Sequence, residues 1–346
     1  MKTRIIDLQT NYEEGIEAGM RCAERGEVFA MPTETVYGLA ANARKPEAVR
    51  DIFALKGRPG DNPLIVHISN MNMAFELARM TKVAEQLAEA FWPGPLTLVL
   101  PKRNEVPYEV TAGLKTVAIR MPDQPATLEM IERTQIPLAA PSANKSGRPS
   151  PTTAQHVWQD FDGEIPLILD GGACQVGIES TVLLLEKEPI IVRPGIITPD
   201  MIASVIGAVA VDRAVLSPME EGRQTPSPGM KYQHYSPKAN VIMIEGDMAR
   251  QTDAIIRQYD EYTTQGKKCL ILASRQTDCF YGKRNYVILG DRDYPETLCQ
   301  RLYDALRQAD EQHFDEIIIE GIMPQEAGMA FMNRAMRAAG FQVIQA

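Results

Sequence analysis

The sequence predicts an α/β protein made of two domains. Short apolar runs alternate with longer amphipathic segments along most of the chain, and such alternation is typical of strands and helices that follow one another. At 346 residues the chain exceeds the length of one average domain. A proline-rich segment without periodicity interrupts the alternation. We therefore predict domains at 1–211 and 240–346, joined by a linker at 212–239.

In the first domain, amphipathic spacing predicts the helices and short apolar runs predict the strands. Gly26 is placed to end a helix over 12–25, and Pro46 stands at the first turn of a helix that reaches Leu55. Further helices are predicted at 71–91 (one or two), 124–134, 152–160 and 198–206. Strands are predicted at 28–31, 64–68, 96–100, 117–121, 137–140, 167–170, 181–185 and 190–193.

The second domain repeats the alternation on a smaller scale. Strands are predicted at 241–245, 269–273, 286–289 and 316–320, and helices at 247–264, 294–311 and 327–339. This order favours a small Rossmann-like parallel sheet. Neither a G-x-G-x-x-G motif nor a P-loop is present in it, so we assign no chemical role to this domain from sequence.

Composition limits the kind of protein. Apolar residues make up 45% of the chain and charged residues 23%, as in ordinary globular proteins. A net charge of −9 argues against a protein that coats nucleic acid, although it leaves room for a local basic pocket. The five cysteines lack metal-ligand spacing. We expect reduced thiols in a cytoplasmic protein, without a signal peptide or a membrane span.

Two polar triplets, Lys56–Arg58 and Ser142–Asn144, are the most informative motifs. Lys56 and Arg58 end a predicted helix, while Ser142 and Asn144 follow an apolar run. Cations beside a hydroxyl and an amide suit the binding of a nucleotide triphosphate. A Lys-x-Arg at a helix end is also common as a solvated terminus, so the triplets alone leave both interpretations open.

Further polar blocks recur in a fixed order around these triplets. They are Met31–Leu39, Asn62–His67, Trp92–Thr97, Val117–Pro122, Gly177–Thr181 and Val192–Gly195. The hydroxyl-rich block 31–39 has a second interpretation, in which Thr33 or Thr35 caps the start of a helix.

The ordered series of blocks resembles the two-domain members of the YrdC-like family, from about residue 5 to the end and including Pro-Gly-Met-Lys-Tyr-Gln-His-Tyr at 228–235. The resemblance implies a YrdC-like twisted open mixed sheet with flanking helices, plus the smaller Rossmann-like α/β domain. It also implies a nucleotidyltransferase that converts L-threonine, bicarbonate and ATP into threonylcarbamoyl-adenylate and pyrophosphate. The product is then passed to a tRNA threonylcarbamoyl transferase, which modifies an adenosine next to the anticodon.

By this resemblance, the nucleotide site contains cations, hydroxyls and amides from several loops: Lys56, Arg58, Asn62, Thr116, Ala140, Ser142, Asn144, Ser150, Arg193, Tyr232 and His234. Lys56 and Arg58 are expected to be catalytic, because bringing two anions together requires electrostatic clamping. From sequence alone, Arg193 could equally be a surface charge at a strand end.

The same resemblance places threonine against Thr35, His67, Arg120 and Ser180. Arg120 alternates with apolar neighbours, so it faces away from them in a strand and could pair with the substrate carboxylate. A solvent-facing strand charge is the simpler alternative for Arg120, and a hydrogen-bonded core residue is the simpler alternative for His67. Glu34 and Glu179 are candidates for metal or amine contacts.

The sequence contains no motif for a covalent nucleophile, which fits direct attack by a substrate carbamate. We expect Mg²⁺ to be held through the ATP phosphates and no metal ligands to come from the protein. Residues 228–237 are expected to fold over the nucleotide as a lid that excludes water, with Tyr232 and His234 touching it.

Two other functions fit the sequence less well. An RNA-binding module with a cationic concave surface and no catalysis is disfavoured by the acidity of the chain and by few aromatic residues near the cations. Carbamoyl transfer in metalloenzyme maturation would need zinc-finger and acylphosphatase-like segments, and the chain has no C-x-x-C pair. We expect neither stable nucleic-acid binding nor membrane binding.

Overall fold

The computed structural model describes residues 2–57, 60–104, 106–217 and 235–346. They form two compact units. The described residues of 2–146 and 150–215 form unit 1, and those of 147–149, 216–217 and 235–346 form unit 2. Both units are α/β, so the predicted fold class is confirmed. Among the described residues, no helix combines the length and apolar character needed to cross a bilayer.

Unit 1 contains eleven strands, eight α-helices and a short 3₁₀ helix at Arg213–Val215 in its described residues. The strands are β1 (Arg4–Asp7), β2 (Phe29–Met31), β3 (Gly38–Asn42), β4 (Ile65–His67), β5 (Leu96–Pro101), β6 (Thr116–Arg120), β7 (Leu138–Ala139), β8 (Leu167–Asp170), β9 (Thr181–Leu184), β10 (Ile190–Arg193) and β11 (Ala210–Val211). The helices are α1 (Tyr12–Arg25), α2 (Pro46–Lys56), α3 (Met71–Leu77), α4 (Lys82–Phe91), α5 (Tyr108–Thr111), α6 (Pro125–Thr134), α7 (Ala154–Phe161) and α8 (Pro199–Ile206).

The strands of unit 1 form one mixed sheet in the order β1-β8-β2-β3-β7-β4-β6-β5-β9-β10-β11. Strand β4 runs parallel to β6 and antiparallel to β7, while β5 is antiparallel to β6 and parallel to β9. Mixed pairing of this kind is what the resemblance implied. It also fixes which side chains share a face, because cross-strand partners point the same way.

The two faces of this sheet are built differently. On one face, Val66, Leu98 and Ile119 belong to the main core, together with apolar residues of the helices. The residues that alternate with them form a small separate apolar cluster of Ile65, Val99, Ala118, Val182 and Val192. This second face is where most of the predicted site residues lie.

Glycines end the first two helices as their positions predict. Gly26 after α1 and Gly57 after α2 have φ of 80° and 62°, the left-handed conformation that glycine adopts without a steric penalty. Helix α2 therefore stops at Lys56 and the chain turns away immediately after it. The position of this stop decides where the lysine ammonium group can reach.

Four strands were not predicted from the sequence, and one alternative interpretation was wrong. The missed strands are β1, β3 and β11 of unit 1 and a strand at Val343–Gln345 of unit 2. Residues 33–37 form a turn between antiparallel strands β2 and β3 rather than the capped start of a helix. In this turn the Thr33 hydroxyl donates to the Val36 carbonyl at 2.6 Å and accepts from the Val36 amide at 3.2 Å. The threonine therefore stabilises a tight turn, which is its other common local role.

Unit 2 contains a five-stranded parallel sheet. Its strands are β12 (Asn240–Glu245), β13 (Cys269–Ser274), β14 (Tyr286–Gly290), β15 (Glu316–Glu320) and β16 (Val343–Gln345), in the order β14-β13-β15-β12-β16. Its helices are α9 (Met248–Thr264), α10 (Asp278–Tyr281), α11 (Pro295–Glu311) and α12 (Ala327–Ala338). Every pairing between these five strands is parallel, which confirms the predicted Rossmann-like arrangement.

A buried carboxylate occupies the carboxyl edge of the unit 2 sheet. Glu320, at the end of β15, accepts hydrogen bonds from Ser274, Thr277, Tyr281 and Arg292. Open parallel sheets commonly bind ligands at this edge. Here the position is filled by side chains that hydrogen-bond to one another, so the network stabilises the fold of unit 2.

We predict that Gly195→Ala destabilises unit 1. A Cβ at Gly195 would lie 2.4 Å from the Thr181 backbone nitrogen and 2.8 Å from the Ser180 carbonyl carbon, so the start of β9 would have to move. The expected loss is about 1–3 kcal/mol in the free energy of unfolding, measured by urea denaturation. Gly60→Ala is the matched control, because its Cβ would meet nothing within 4 Å. Equal losses in the two variants would contradict the close approach of Gly195 to β9.

Candidate active site

The two polar triplets are in direct contact through Lys56. The Lys56 ammonium donates hydrogen bonds to the backbone carbonyls of Ser142 and Asn144. The Ser146 amide in turn donates to the Lys56 carbonyl at 3.0 Å. Lys56 is only 4% exposed, so the solvated-terminus alternative is wrong for this lysine. A buried cation thus holds the 142–144 turn against the end of α2.

The 142–144 turn also pairs with the start of β3. The Ala143 amide donates to the Tyr37 carbonyl, and the Leu39 amide donates to the Pro141 carbonyl, both at 2.8 Å. The Tyr37 hydroxyl donates to the Gly172 carbonyl at 2.7 Å. Three loops that are distant in sequence are therefore fixed to one another just beyond the end of β7.

Strand register places several predicted site residues on one face of the sheet. His67 pairs with Arg120 and Ile65 pairs with Ala118 across β4 and β6, and Thr116 lies two residues before Ala118 on the same face. The Ala140 amide bonds to the Ile65 carbonyl at 2.9 Å. The His67, Arg120 and Thr116 side chains thus lie on the same face of the sheet as the small apolar cluster defined above.

Arg193 and Ser180 form a second polar group on this sheet. The Arg193 guanidinium donates to the Ser180 carbonyl and to the Ser180 hydroxyl, each at 3.1 Å. The Ser180 hydroxyl lies 2.8 Å from the Thr97 hydroxyl. Arg193 is 5% exposed, so the surface-charge alternative is wrong for this residue.

Ser150 and Asn62 are fully buried. The Ser150 hydroxyl donates to a Glu179 carboxylate oxygen at 2.6 Å. This contact ties the loop after the 142–144 turn to the segment that precedes Ser180. Glu179, named from sequence as a candidate contact for a metal or an amine, is therefore engaged by a hydroxyl of the protein.

Arg120 is buried within a polar group rather than exposed to solvent, so the solvent-facing alternative is wrong. One terminal nitrogen donates to the Thr35 hydroxyl at 2.8 Å, and Nε donates to the Gly94 carbonyl at 3.3 Å. The other terminal nitrogen, Nη2, lies 2.5 Å from Oε2 of Glu34. Thr35 and Arg120, predicted separately to bind threonine, are thus direct neighbours.

His67 is buried beside Arg120 as a neutral imidazole. Burial lowers the pKa of His67 to about 3, and the positive charge of Arg120 acts in the same direction. Among the described residues, its Nδ1 atom has no hydrogen-bond partner. Backbone groups of Leu138 and Ile65 also interact with the imidazole, so the alternative of a hydrogen-bonded core histidine remains open for the ring as a whole.

Cys174 lies near the same polar group but is not activated. Burial raises the pKa of its thiol, with the Glu34 carboxylate adding to the effect. The protonated thiol is a poor nucleophile. All five cysteines are free, as expected from the sequence.

Three predicted site residues, Arg58, Tyr232 and His234, lie outside the described residues, as does most of the predicted lid at 228–237. Their roles stay predictions. In the part of the chain that the structure describes, no group of three or more His, Cys, Asp or Glu side chains is arranged to hold a metal ion.

Two residues that shape the site were not predicted. Thr33 lies 2.8 Å from the Thr35 hydroxyl, and Thr97 contacts Ser180. Thr97 belongs to a polar block quoted from the sequence, and its place between Leu96 and Leu98 marks the polar face of β5. That alternation was the signal that could have identified it.

We predict that His67 makes the protein sensitive to mild acid. Its folded-state pKa lies below the ordinary value near 6.5, so the unfolded chain binds the proton more tightly and stability falls as pH drops from 6.5 towards 3. Between pH 7 and pH 5, wild type should lose about 2 kcal/mol more of its unfolding free energy than His67→Gln. Urea denaturation at the two pH values measures this difference. Parallel losses in both proteins would contradict it.

Comparison with known proteins connects this geometry to a family. The family model for Sua5, YciO and YrdC proteins, described as telomere recombination, matches residues 21–195. A second model, described as the C-terminal domain of threonylcarbamoyl-AMP synthase, matches residues 197–340. The two models together span most of the chain.

Individual relatives match over nearly the full length. A threonylcarbamoyl-AMP synthase of Pyrococcus abyssi is 43% identical over 99% of both chains. One of Bacillus subtilis is 44% identical over 98% of this chain and 96% of its own. The crystal structure of P. abyssi Sua5 complexed with L-threonine superposes with a TM-score of 0.93 at 41% identity, over 99% of this chain and all of that chain.

Proposed function

The chain belongs to the family of Sua5, YciO and YrdC proteins, and on that premise we propose that it is a nucleotidyltransferase that makes threonylcarbamoyl-adenylate. Its substrates are L-threonine, bicarbonate and ATP, and its second product is pyrophosphate. Relatives that match over nearly the full length carry the name threonylcarbamoyl-AMP synthase. A structural neighbour was solved with L-threonine.

One structural observation supports the proposal: several separate segments of unit 1 carry buried cations that contact polar groups. Lys56, Arg120 and Arg193 are each at most 5% exposed. Charged side chains are rarely buried to this extent unless they are paired with other polar groups. Each has polar neighbours that fix its position. A site for anionic substrates needs charges that are already held in place.

The chemistry requires two anions to meet. A carbamate oxygen of N-carboxythreonine attacks the α-phosphorus of ATP, a new P–O bond forms, and the bond to the bridging oxygen breaks as pyrophosphate leaves. No group of the protein needs to form a covalent bond. Fixed positive charge offsets the repulsion between the reactants and the charge that develops on the leaving group.

Lys56 supports this reaction by position. Its ammonium already donates to two carbonyls of the 142–144 turn. Because the charge is buried, water screens it less, and its electrostatic attraction for an anion extends over a longer distance. The Ser142 and Asn144 side chains are thereby presented to the nucleotide. We assign Arg58, Asn62, Thr116, Ser150 and Arg193 to the same nucleotide site, as their positions in the family pattern imply.

The amino-acid end of the site uses Arg120. Its planar guanidinium suits a carboxylate, and Thr35 supplies a hydroxyl beside it. We assign Ser180, whose hydroxyl contacts Thr97 and Arg193, to the same end. A neutral His67 can hydrogen-bond to a substrate hydroxyl without adding charge. These assignments divide the site into a carboxylate end at Arg120 and a phosphate end near Lys56.

Mg²⁺ is proposed to enter with ATP and to be held mainly by the phosphates. Carboxylate and carbonyl oxygens are its usual protein ligands, and it keeps several waters when it binds nucleotides. The product is proposed to pass, in the cytoplasm, to an enzyme that transfers the threonylcarbamoyl group to tRNA. The lid at 228–237 remains part of the proposal.

The function predicts pyrophosphate release that requires every substrate. Purified protein with ATP, Mg²⁺, L-threonine and bicarbonate should release pyrophosphate, and omission of either threonine or bicarbonate should reduce the rate to background. Mass spectrometry of the quenched reaction should detect threonylcarbamoyl-adenylate. An RNA-binding module would release none under any of these conditions, and that result would overturn the proposed function.

A further inference from the structure

The Glu34–Arg120 pair has hydrogen-bonding capacity that the protein leaves unused. Oε2 of Glu34 and Nη2 of Arg120 lie 2.5 Å apart as an ion pair, yet neither atom has a hydrogen-bond partner among the described residues. Among the described residues, both carboxylate oxygens of Glu34 and Nη2 of Arg120 lack a hydrogen-bond partner. Both side chains are at least nine-tenths buried.

A fourth unsatisfied atom lies beside the pair. His67 is the cross-strand neighbour of Arg120, and its Nδ1 atom also lacks a partner in the described part of the chain. Buried polar atoms without hydrogen bonds are rare and costly. Several of them at one place indicate a position for a polar ligand, which would supply the missing bonds.

The charges specify the ligand. A carboxylate and a guanidinium that sit side by side, each with free capacity, complement a molecule that carries an ammonium and a carboxylate a few ångströms apart. An α-amino acid in its zwitterionic form has this arrangement. A simple anion would leave Glu34 unpaired and would be repelled by it.

The loop that carries Glu34 is held rigidly by its backbone. The Glu34 carbonyl accepts from the Val176 amide at 2.8 Å, and the Thr35 carbonyl accepts from the Gly177 amide at 3.1 Å. The Thr35 hydroxyl is fixed by Arg120 and by Thr33. The backbone that carries Glu34 is therefore fixed before any ligand arrives, which reduces the entropic cost of binding.

We propose that Glu34 binds the α-ammonium group of the amino-acid substrate and accepts its proton, while Arg120 binds the substrate carboxylate. This inference rests on the proposed function, which makes an amino acid the substrate. When the zwitterion binds, the Glu34 and Arg120 side chains separate. Glu34 then pairs with the substrate ammonium, and Arg120 pairs with the substrate carboxylate. Neither member of the pair remains without an opposite charge when the amino acid is bound.

The proton transfer makes the amine a nucleophile. The ammonium gives one proton to the Glu34 carboxylate, and the free amine attacks the carbon of bicarbonate. A C–N bond forms and a C–O bond breaks; the departing hydroxide takes the second amine proton and leaves as water. The product is the carbamate that attacks ATP, and the Glu34 carboxylic acid returns its proton to solvent before the next turnover.

Binding selectivity for the ammonium tests this assignment. Calorimetry without ATP would compare L-threonine with 2,3-dihydroxybutanoate of the same stereochemistry, in which a hydroxyl replaces the ammonium. Three proteins are needed: wild type, Glu34→Gln, and Glu76→Gln as control. Glu76 pairs with Arg44 at 3.0 Å on the surface of the same unit, so its variant removes a Glu–Arg pair without touching the site.

Wild type and Glu76→Gln should bind threonine at least about tenfold more tightly than the analogue, and Glu34→Gln should lose that preference. Thermal unfolding and circular dichroism check that the variant folds, and Glu34→Asp, which keeps the charge, should restore part of the preference. An unchanged preference in folded Glu34→Gln would overturn the inference and leave the proposed function intact. If wild type releases no pyrophosphate, the proposed function itself fails.

Discussion

The buried ammonium group of Lys56 is the interaction on which the rest of the site depends. Helix α2 ends there, and the ammonium joins that end to the 142–144 turn. Without this cation, two backbone carbonyls would be left without donors in a place that water reaches poorly, and each would carry a desolvation cost of about 1–3 kcal/mol. The lysine thus joins two segments that are far apart in sequence.

The sheet of unit 1 supplies the second constraint. Helices and the main core cover one face, so the polar residues have to project from the other. The strand register then determines which side chains are neighbours. In the parallel pairing of β4 with β6, His67 lies opposite Arg120. The small apolar cluster between the polar groups keeps the local dielectric low, which strengthens charge interactions with a bound ligand and also lowers the pKa of His67.

Long, strongly patterned elements could be predicted well from the sequence. Helix α1 between its first residue and Gly26, and the strand that holds Arg120, were found because amphipathic spacing and alternation are local signals. Strand β3 was missed because its residues, Gly-Leu-Ala-Ala-Asn, are small and carry no alternation. Its pairing with β2 and β7 depends on residues distant in sequence.

The same distinction between local sequence signals and long-range contacts applies to the site residues. Their identities came from ordered motifs and a family resemblance, whereas their burial and partners could not be read from one sequence. Arg120 was assigned to threonine, yet sequence alone favoured a solvent-facing charge, because alternation places a side chain on a face without saying what covers that face. The Glu34–Arg120 contact joins two segments that are far apart in the chain and required coordinates.

The most direct test is hydrogen–deuterium exchange of Lys56→Met compared with wild type. Methionine keeps most of the length of the side chain and removes the ammonium that holds the 142–144 turn. Amides of residues 143–146 should exchange at least about tenfold faster in the variant, while those of β4 and β6 keep their protection. Unchanged exchange over 143–146 in a folded variant would contradict the role given to Lys56.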